Sequence, residues 1–296
     1  MRVFVTGATG FIGSTLVKEL IGAGYQVLGL SRSDAGAKAL AAAGAEVHRG
    51  DLEDLESLRS GAAKSDGVIH LAFNHDFSKY VENCEADRRA IEALGSALVG
   101  SERPLIVTSG TLRNASVAPG RLGTEEDAGV PSSVMPRGAT EEAAASLAAR
   151  GVRILVVRLP QVHDRFKQGL ITPMIAIARA KGVSAFIGDG LNRWPAAHLV
   201  DTAHLYRLVL EKGAAGARYH AVAEEGVSAK DIAEAIGRRL KLPVVSKRPE
   251  EAVEHFGWFG PFMSLDSPCS SALTRERLGW QPRGPGLISD LDNLEI

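Results

Sequence analysis

The sequence predicts a doubly wound parallel α/β sheet with a smaller C-terminal lobe, and three observations carry that reading. Strand-length apolar runs alternate with helix-length segments from Arg2 to Arg158. A cluster of glycines, Thr6-Gly7-Ala8-Thr9-Gly10-Phe11-Ile12-Gly13, falls at the first strand-to-helix turn. Beyond Pro160 the alternation loosens into segments punctuated by Pro and Gly. Residues 1–160 are therefore expected to form a nucleotide-type domain. Residues 161–296 should supply mainly the substrate lobe and can return strands to the sheet.

The elements follow in order. Arg2 to Val5 reads as a strand and Ser14 to Leu20 as a helix. Gln26 to Leu30 is a second strand, Ala35 to Ala43 an Ala-rich helix of high intrinsic propensity, and Glu46 to His48 a third strand. A helix over Asp54 to Ala63, a strand over Gly67 to Ala72, a long helix from about Ser78 to Val99 and a strand over Leu105 to Thr108 come next. A loop from Ser109 to about Met135 precedes a helix at Ala139 to Arg150 and a strand at Arg153 to Arg158. Strands separated by helices of this length pair in parallel through right-handed crossovers. In the lobe, Ile171 to Lys181, Val200 to Lys212 and Ala229 to Leu240 read as helices, and Arg218 to Val222 as a strand.

The glycine segment speaks most directly to function. Gly7 permits the tight turn, Gly10 lets backbone approach an anion without a Cβ in the way, and Gly13 lets helix and strand pack closely. The helix then turns its free N–H groups and positive dipole end toward a dinucleotide's pyrophosphate. Composition points to a small-molecule partner. With 34 Lys and Arg against 35 Asp and Glu, the net charge of -1 builds no long-range field for nucleic acid or an anionic membrane. Cys84 and Cys269 lack CxxC spacing and read as reduced thiols, and the eight histidines are too scattered to suggest a metal site. A strand beginning at Arg2 leaves no room for a targeting segment, and no apolar run approaches bilayer-spanning length, so a cytoplasmic protein is expected.

Several further segments, in the right order, give the chain its resemblance to a family. Gly50-Asp51-Leu52 closes the third strand and His70-Leu71-Ala72 the fourth. Arg158-Leu159-Pro160-Gln161-Val162-His163 enters the lobe, His198-Leu199-Val200-Asp201-Thr202-Ala203 opens a helix, and Leu278-Gly279-Trp280-Gln281-Pro282 lies near the end. Together with TGxxGxxG at Thr6 to Gly13, they resemble the short-chain dehydrogenase/reductase superfamily and its extended, epimerase/dehydratase-like branch, a Rossmann fold. The resemblance covers nearly the whole chain. It implies a cofactor held by Gly7, Thr9, Gly10, Phe11, Ile12 and Gly13 at the pyrophosphate and by Ser31, Arg32, Asp51 and Leu52 around the adenosine. Leu71, Ala72, Phe73 and Thr108, with Leu159, Pro160 and Val162, would then lie along the nicotinamide half. It also implies a monomer, or a homodimer paired through the long helices.

An NAD-specific site places a carboxylate at the end of the second strand. Leu30-Ser31-Arg32-Ser33 offers a guanidinium and hydroxyls instead, which suit a 2′-phosphate, so NADP(H) is favoured over NAD(H). The competing reading leaves Arg32 solvated, with Asp34 making the ribose contact.

Carbonyl chemistry also needs a proton donor. The superfamily's Tyr-x-x-x-Lys pair would fall in Pro136-Arg137-Gly138-Ala139-Thr140-Glu141, where Arg137 stands at the Tyr position and Glu141 at the Lys position. None of Tyr25, Tyr80, Tyr206 and Tyr219 has Lys four residues on, which marks an atypical member. Arg cannot give up a proton at neutral pH but can stabilise an oxyanion. Substitute donors are Ser109 at the end of the fifth strand, Tyr80 beyond the fourth and His163 at the pocket mouth, with Asn74 and His75 nearby. Asp87 stands where the branch has Asn, and His198 reads as a helix cap. Trp194, Phe256, Trp258, Phe259 and Phe262 could wall an apolar pocket or simply form core. The leading expectation is an NADP(H)-dependent oxidoreductase moving hydride to or from a small carbonyl or alcohol with a non-standard proton donor. A non-catalytic dinucleotide-sensing protein and an NAD-dependent nucleotide-sugar epimerase or dehydratase are the alternatives.

Overall fold

The computed structural model describes residues 1–112 and 121–295, so residues 113–120 of the expected loop after the fifth strand lie outside the described residues. The nucleotide half runs β1 (Arg2–Thr6), α1 (Phe11–Gly22), β2 (Gln26–Ser31), α2 (Asp34–Ala42), β3 (Glu46–Arg49), α3 (Leu55–Ala63) and β4 (Gly67–His70). It continues through α4 (Tyr80–Ser96), β5 (Leu105–Gly110), α5 (Ala139–Ala149) and β6 (Ile154–Leu159). The lobe adds β7 (Gln161–His163), α6 (Ile171–Lys181), β8 (Ser184–Ile187), β9 (Arg193–His198), α7 (Leu199–Lys212), β10 (Arg218–His220) and β11 (Glu224–Ser228). It ends with α8 (Ala229–Leu240), β12 (Val244–Lys247), α9 (Ala252–Phe256), α10 (Ala272–Leu278) and α11 (Leu287–Asp292).

Among the described residues, seven parallel strands form the central sheet in the order β10-β6-β5-β4-β1-β2-β3. The connectivity reverses between β1 and β4, and that switch point opens a crevice at the carboxyl ends of the strands. Alternating side chains fill the two faces. Val3 and Val5 of β1 join Leu16 and Leu20 of α1 and Leu205 and Val209 of α7. Phe4, one residue out of phase, joins Leu58 of α3, Leu94 of α4 and Leu147 of α5 on the other face. Hydroxyl and carboxylate caps fix the helix starts, with Ser33 accepting from Gly36 N at α2 and Asp54 from Ser57 N at α3.

The observed boundaries depart from the sequence reading in ways that bear on the site. β5 runs two residues past Thr108, pairing Ser109 with Arg158 and Gly110 with Leu159, so Ser109 lies within the strand. The long helix begins at Tyr80, after a 3-10 turn over Phe77–Lys79. After the lobe sheet β11-β9-β7 has started, the chain returns, placing α7 against α1 and β10 beside β6. The lobe has its own core, built on Ile175, Trp194, Ile236, Phe259 and Leu291. Among the described residues no helix is long and apolar enough to cross a membrane.

Candidate cofactor and active site

The glycine turn has the shape of an anion cradle. Gly7 sits at φ +66°, and a Cβ there would come within 2.8 Å of Ala72 N. A Cβ on Gly13 would lie 2.0 Å from Gly7 O, so only glycine lets α1 seat against the turn. Gly10 is the N-cap of α1 and offers no side-chain cap, and the first turn carries no acidic residue. The N–H groups opening α1 are thus left for an external acceptor, with Thr9 exposed and Phe11 and Ile12 half-buried beside them. These residues fit the pyrophosphate of a dinucleotide. From the lobe, Lys167 brings its Nζ to 5.5 Å from the centre of the Phe11 ring, a neighbour that sequence spacing did not suggest.

At the adenosine end, Arg32 is exposed and its side chain makes no hydrogen bond or ion pair among the described residues. Arg49 reaches over instead, donating to Ser33 O and to Asp34 Oδ1, both at 2.8 Å. Asp34 is therefore occupied by a cation. Ser31 is buried and donates to Ser33 O. Asp51 turns Oδ1 back on its own loop, accepting from Glu53 N and Asp54 N, while Leu52 packs at the edge of the core.

Under the other half of the crevice runs a buried polar chain. Thr6 Oγ1 accepts from Ala72 N at 3.2 Å and meets His70 Nδ1 at 2.8 Å, while His70 Nε2 reaches Asp87 Oδ1 at 3.1 Å. Asp87 Oδ2 then accepts from Arg137 at 2.5 Å and from Thr140 Oγ1 at 2.6 Å. Burial alone would raise the Asp87 pKa, but Arg137, His70 and Thr140 outweigh it and hold the carboxyl at about 2. As Asp87 is a carboxylate, His70 Nε2–H is the donor of that bond. Arg137 also donates to Thr108 O at 2.9 Å and lies 4.1 Å over the Phe73 ring. Thr108 donates to His70 O and meets Tyr206 Oη at 2.7 Å. Burial pushes the Tyr206 phenol well above its ordinary pKa, which keeps it a donor.

Glu141 takes no part in that chain: its carboxylate accepts two bonds of 2.9 Å from Arg158, whose side chain is fully buried on β6. Among the substitute donors, Ser109 is 3% exposed, and its Oγ finds no hydrogen-bond partner among the described residues. His163 is fully buried and bonded through Nδ1 to Asp290 at 2.7 Å. His198 caps α7 through Val200 N. Tyr80 is half-buried at the start of α4, with its ring 5.7 Å from that of Phe77. His75 stands at the lip, its pKa lowered by surrounding protein atoms and by the Arg137 and Lys167 cations. Leu71, Ala72, Phe73, Leu159 and Pro160 are each partly exposed along the crevice, and Val162 is buried behind them. The Asp87–Arg137 pair had one sequence signal: they are the two positions at which the resemblance leads one to expect Asn and Tyr.

A parallel sheet with a glycine cradle at its switch point and a lobe over the strand ends defines the extended class of dinucleotide-fold proteins. The model of the NAD dependent epimerase/dehydratase family matches residues 3–223, and the chain belongs to that family. It is 51% identical over 98% of both chains to an uncharacterized protein of Schizosaccharomyces pombe. A second uncharacterized protein, from Saccharomyces cerevisiae, is 45% identical over 98% of both chains. In fold the chain is similar to the UDP-glucose 4-epimerase of Thermus thermophilus in complex with NAD. The TM-score is 0.76 at 21% identity, covering 99% of this chain and 97% of the other.

Proposed function

We propose that this family member is an NADP(H)-dependent oxidoreductase acting on a small carbonyl or alcohol, with Tyr80 as the proton donor and Arg137 as the cation that faces the substrate oxygen. The uncapped glycine cradle carries the reading: among the described residues no side chain caps the start of α1, which leaves its first N–H groups to a pyrophosphate. When bound, a nicotinamide dinucleotide supplies or accepts the hydride. Arg32 reads the 2′-phosphate, a role supported by its exposure and by the pairing of Asp34 with Arg49. Arg137, held by Asp87 and Thr108 O, sets a fixed positive charge beside Phe73 that favours an alkoxide over a carbonyl. Tyr80 delivers the proton, being the accessible member of the three candidate donors.

The test is a fluorescence titration with NADPH followed by a turnover screen across aldehydes, ketones and imines. Binding with turnover supports the proposal, and Tyr80→Phe should then lower kcat by about 10²–10⁴-fold, the usual worth of a general acid. Binding without turnover of any substrate favours a dinucleotide sensor, and failure to bind NADPH overturns both.

A further inference from the structure

A ladder of aromatic rings leaves the candidate site and crosses to the lobe. Phe73, under the Arg137 guanidinium, meets the His75 ring at 5.3 Å, and His75 meets Phe77 at 6.1 Å. Phe77 stacks on Trp258 of the lobe at 4.7 Å with the ring planes 12° apart. Trp258 rests in turn on Phe259 at 5.3 Å, and Phe259 is fully buried against Trp194. The base of the ladder is thus buried core, while Trp258 keeps 50% of its surface exposed, against 1% each for Trp194 and Trp280. With Phe77 stacked on it, Trp258 makes an apolar patch linked through His75 and Phe73 to the candidate crevice, and contiguous apolar patches mark ligand-binding surfaces. The ladder begins at the residue that carries Arg137, so its natural occupant is the molecule whose carbonyl faces Arg137.

We infer that the substrate is a planar, apolar carbonyl compound whose body lies on the Phe77–Trp258 surface while its oxygen faces Arg137. This deepens the oxidoreductase reading and rests on it for the identity of the reacting group. Stacking on Trp and Phe favours flat rings over flexible chains, and the ladder's rings offer no built site for the two phosphates of a nucleotide sugar.

The inference is tested without turnover, by saturation-transfer NMR on the whole chain with the planar trans-4-phenylbut-3-en-2-one, the flexible ketone 2-decanone and UDP-glucose as separate probes. NADPH affinity is measured in parallel by fluorescence. The expected result is at least tenfold tighter binding of the phenyl ketone than of 2-decanone, with its ring protons saturated most. Trp258→Ser should then lose at least tenfold, Trp258→Phe should keep most of the affinity, and NADPH binding should be unchanged in both. Equal binding of the two ketones, undiminished binding by Trp258→Ser, or binding of UDP-glucose alone overturns the inference. So does a Trp258-dependent dimer in sedimentation, which would make a second copy the occupant. Loss of NADPH binding in the unsubstituted protein would instead count against the oxidoreductase reading, so the two failures remain distinct.

Discussion

On the proposed function, the choice between two cofactors rests on one side chain at the end of β2. A 2′-phosphate is a dianion that a planar guanidinium can grip with paired donors, whereas a ribose hydroxyl needs only an acceptor. Arg32 is exposed at that point, and the nearest carboxylate, Asp34, already faces Arg49. Arg32→Asp should therefore weaken NADPH at least tenfold in a fluorescence titration and leave NADH within a few-fold, roughly one to two charge-assisted bonds. An equal loss for both would mean that Arg32 does not read the phosphate. Deeper in the crevice, Asp87 behaves differently because it is fully buried and is the shared acceptor of Arg137, Thr140 and His70. Asp87→Asn keeps the shape but leaves the Arg137 charge without its counter-ion, a change that costs about 3–5 kcal/mol when a pair is buried. Urea unfolding at pH 7 should show that loss, and the Asp87→Asn, Arg137→Met double variant should recover part of it, as a replaced pair does.

The α1 element ties stability and binding together, because the contact that lets it seat is the one that aims its N–H groups. A Cβ on Gly13 would collide with Gly7 O, a backbone atom that cannot swing aside. Gly13→Ala should cost about 1–3 kcal/mol by overpacking, and should lower NADPH affinity by more than the equivalent change at solvent-facing Gly22, where an added Cβ meets nothing. Comparable NADPH affinities for Gly13→Ala and Gly22→Ala would show that the seating of α1 does not govern the cradle. This turn was legible in the sequence because its information is local: three glycines at fixed spacing between an apolar run and an amphipathic one. The helices Ile171–Lys181 and Ala229–Leu240 were legible for the same reason, each set by its own periodicity. The short lobe strands β7, β8, β9, β11 and β12 were not, since strands of 3–6 residues are fixed by their partners rather than by pattern. For Asp87 and Arg137 the sequence showed two unexpected residue types but not their contact, which joins residues 50 positions apart. Asp51 shows the limit of motif reading: the residue stands where the motif puts it, while one of its oxygens bonds its own turn.

For the whole molecule, the junction between sheet and lobe is held by buried imidazoles that acid should loosen in sequence. His220, on β10 at the edge of the sheet, is fully buried, with Nδ1 2.8 Å from Ser270 O and Nε2 3.3 Å from Arg158. Arg158 can only donate, so Nε2 must be the acceptor and Nδ1–H the donor to Ser270 O, an arrangement that requires neutral imidazole. Burial and the Arg158 charge hold its pKa down at about 4, although Glu125 and Glu141 pull the other way. The folded value is below the ordinary 6.5, so between the two the unfolded chain takes up a proton that the native one refuses. The contribution of neutral His220 is thus complete above about pH 6.5 and is lost progressively as the pH falls toward 4, amounting to about 3 kcal/mol. His163, which ties β7 to α11 through Asp290, is shifted in the same direction by burial and adds to the same limb. Asp87, held at about 2, keeps its contribution intact above about pH 4 and loses it only as the pH falls further toward 2. Urea unfolding between pH 7 and 4 should therefore show stability falling steadily, and His220→Gln, which can still donate to Ser270 O and accept from Arg158, should flatten that fall by more than half. A slope unchanged by His220→Gln would place the acid sensitivity elsewhere, with His163→Gln as the next variant to carry it.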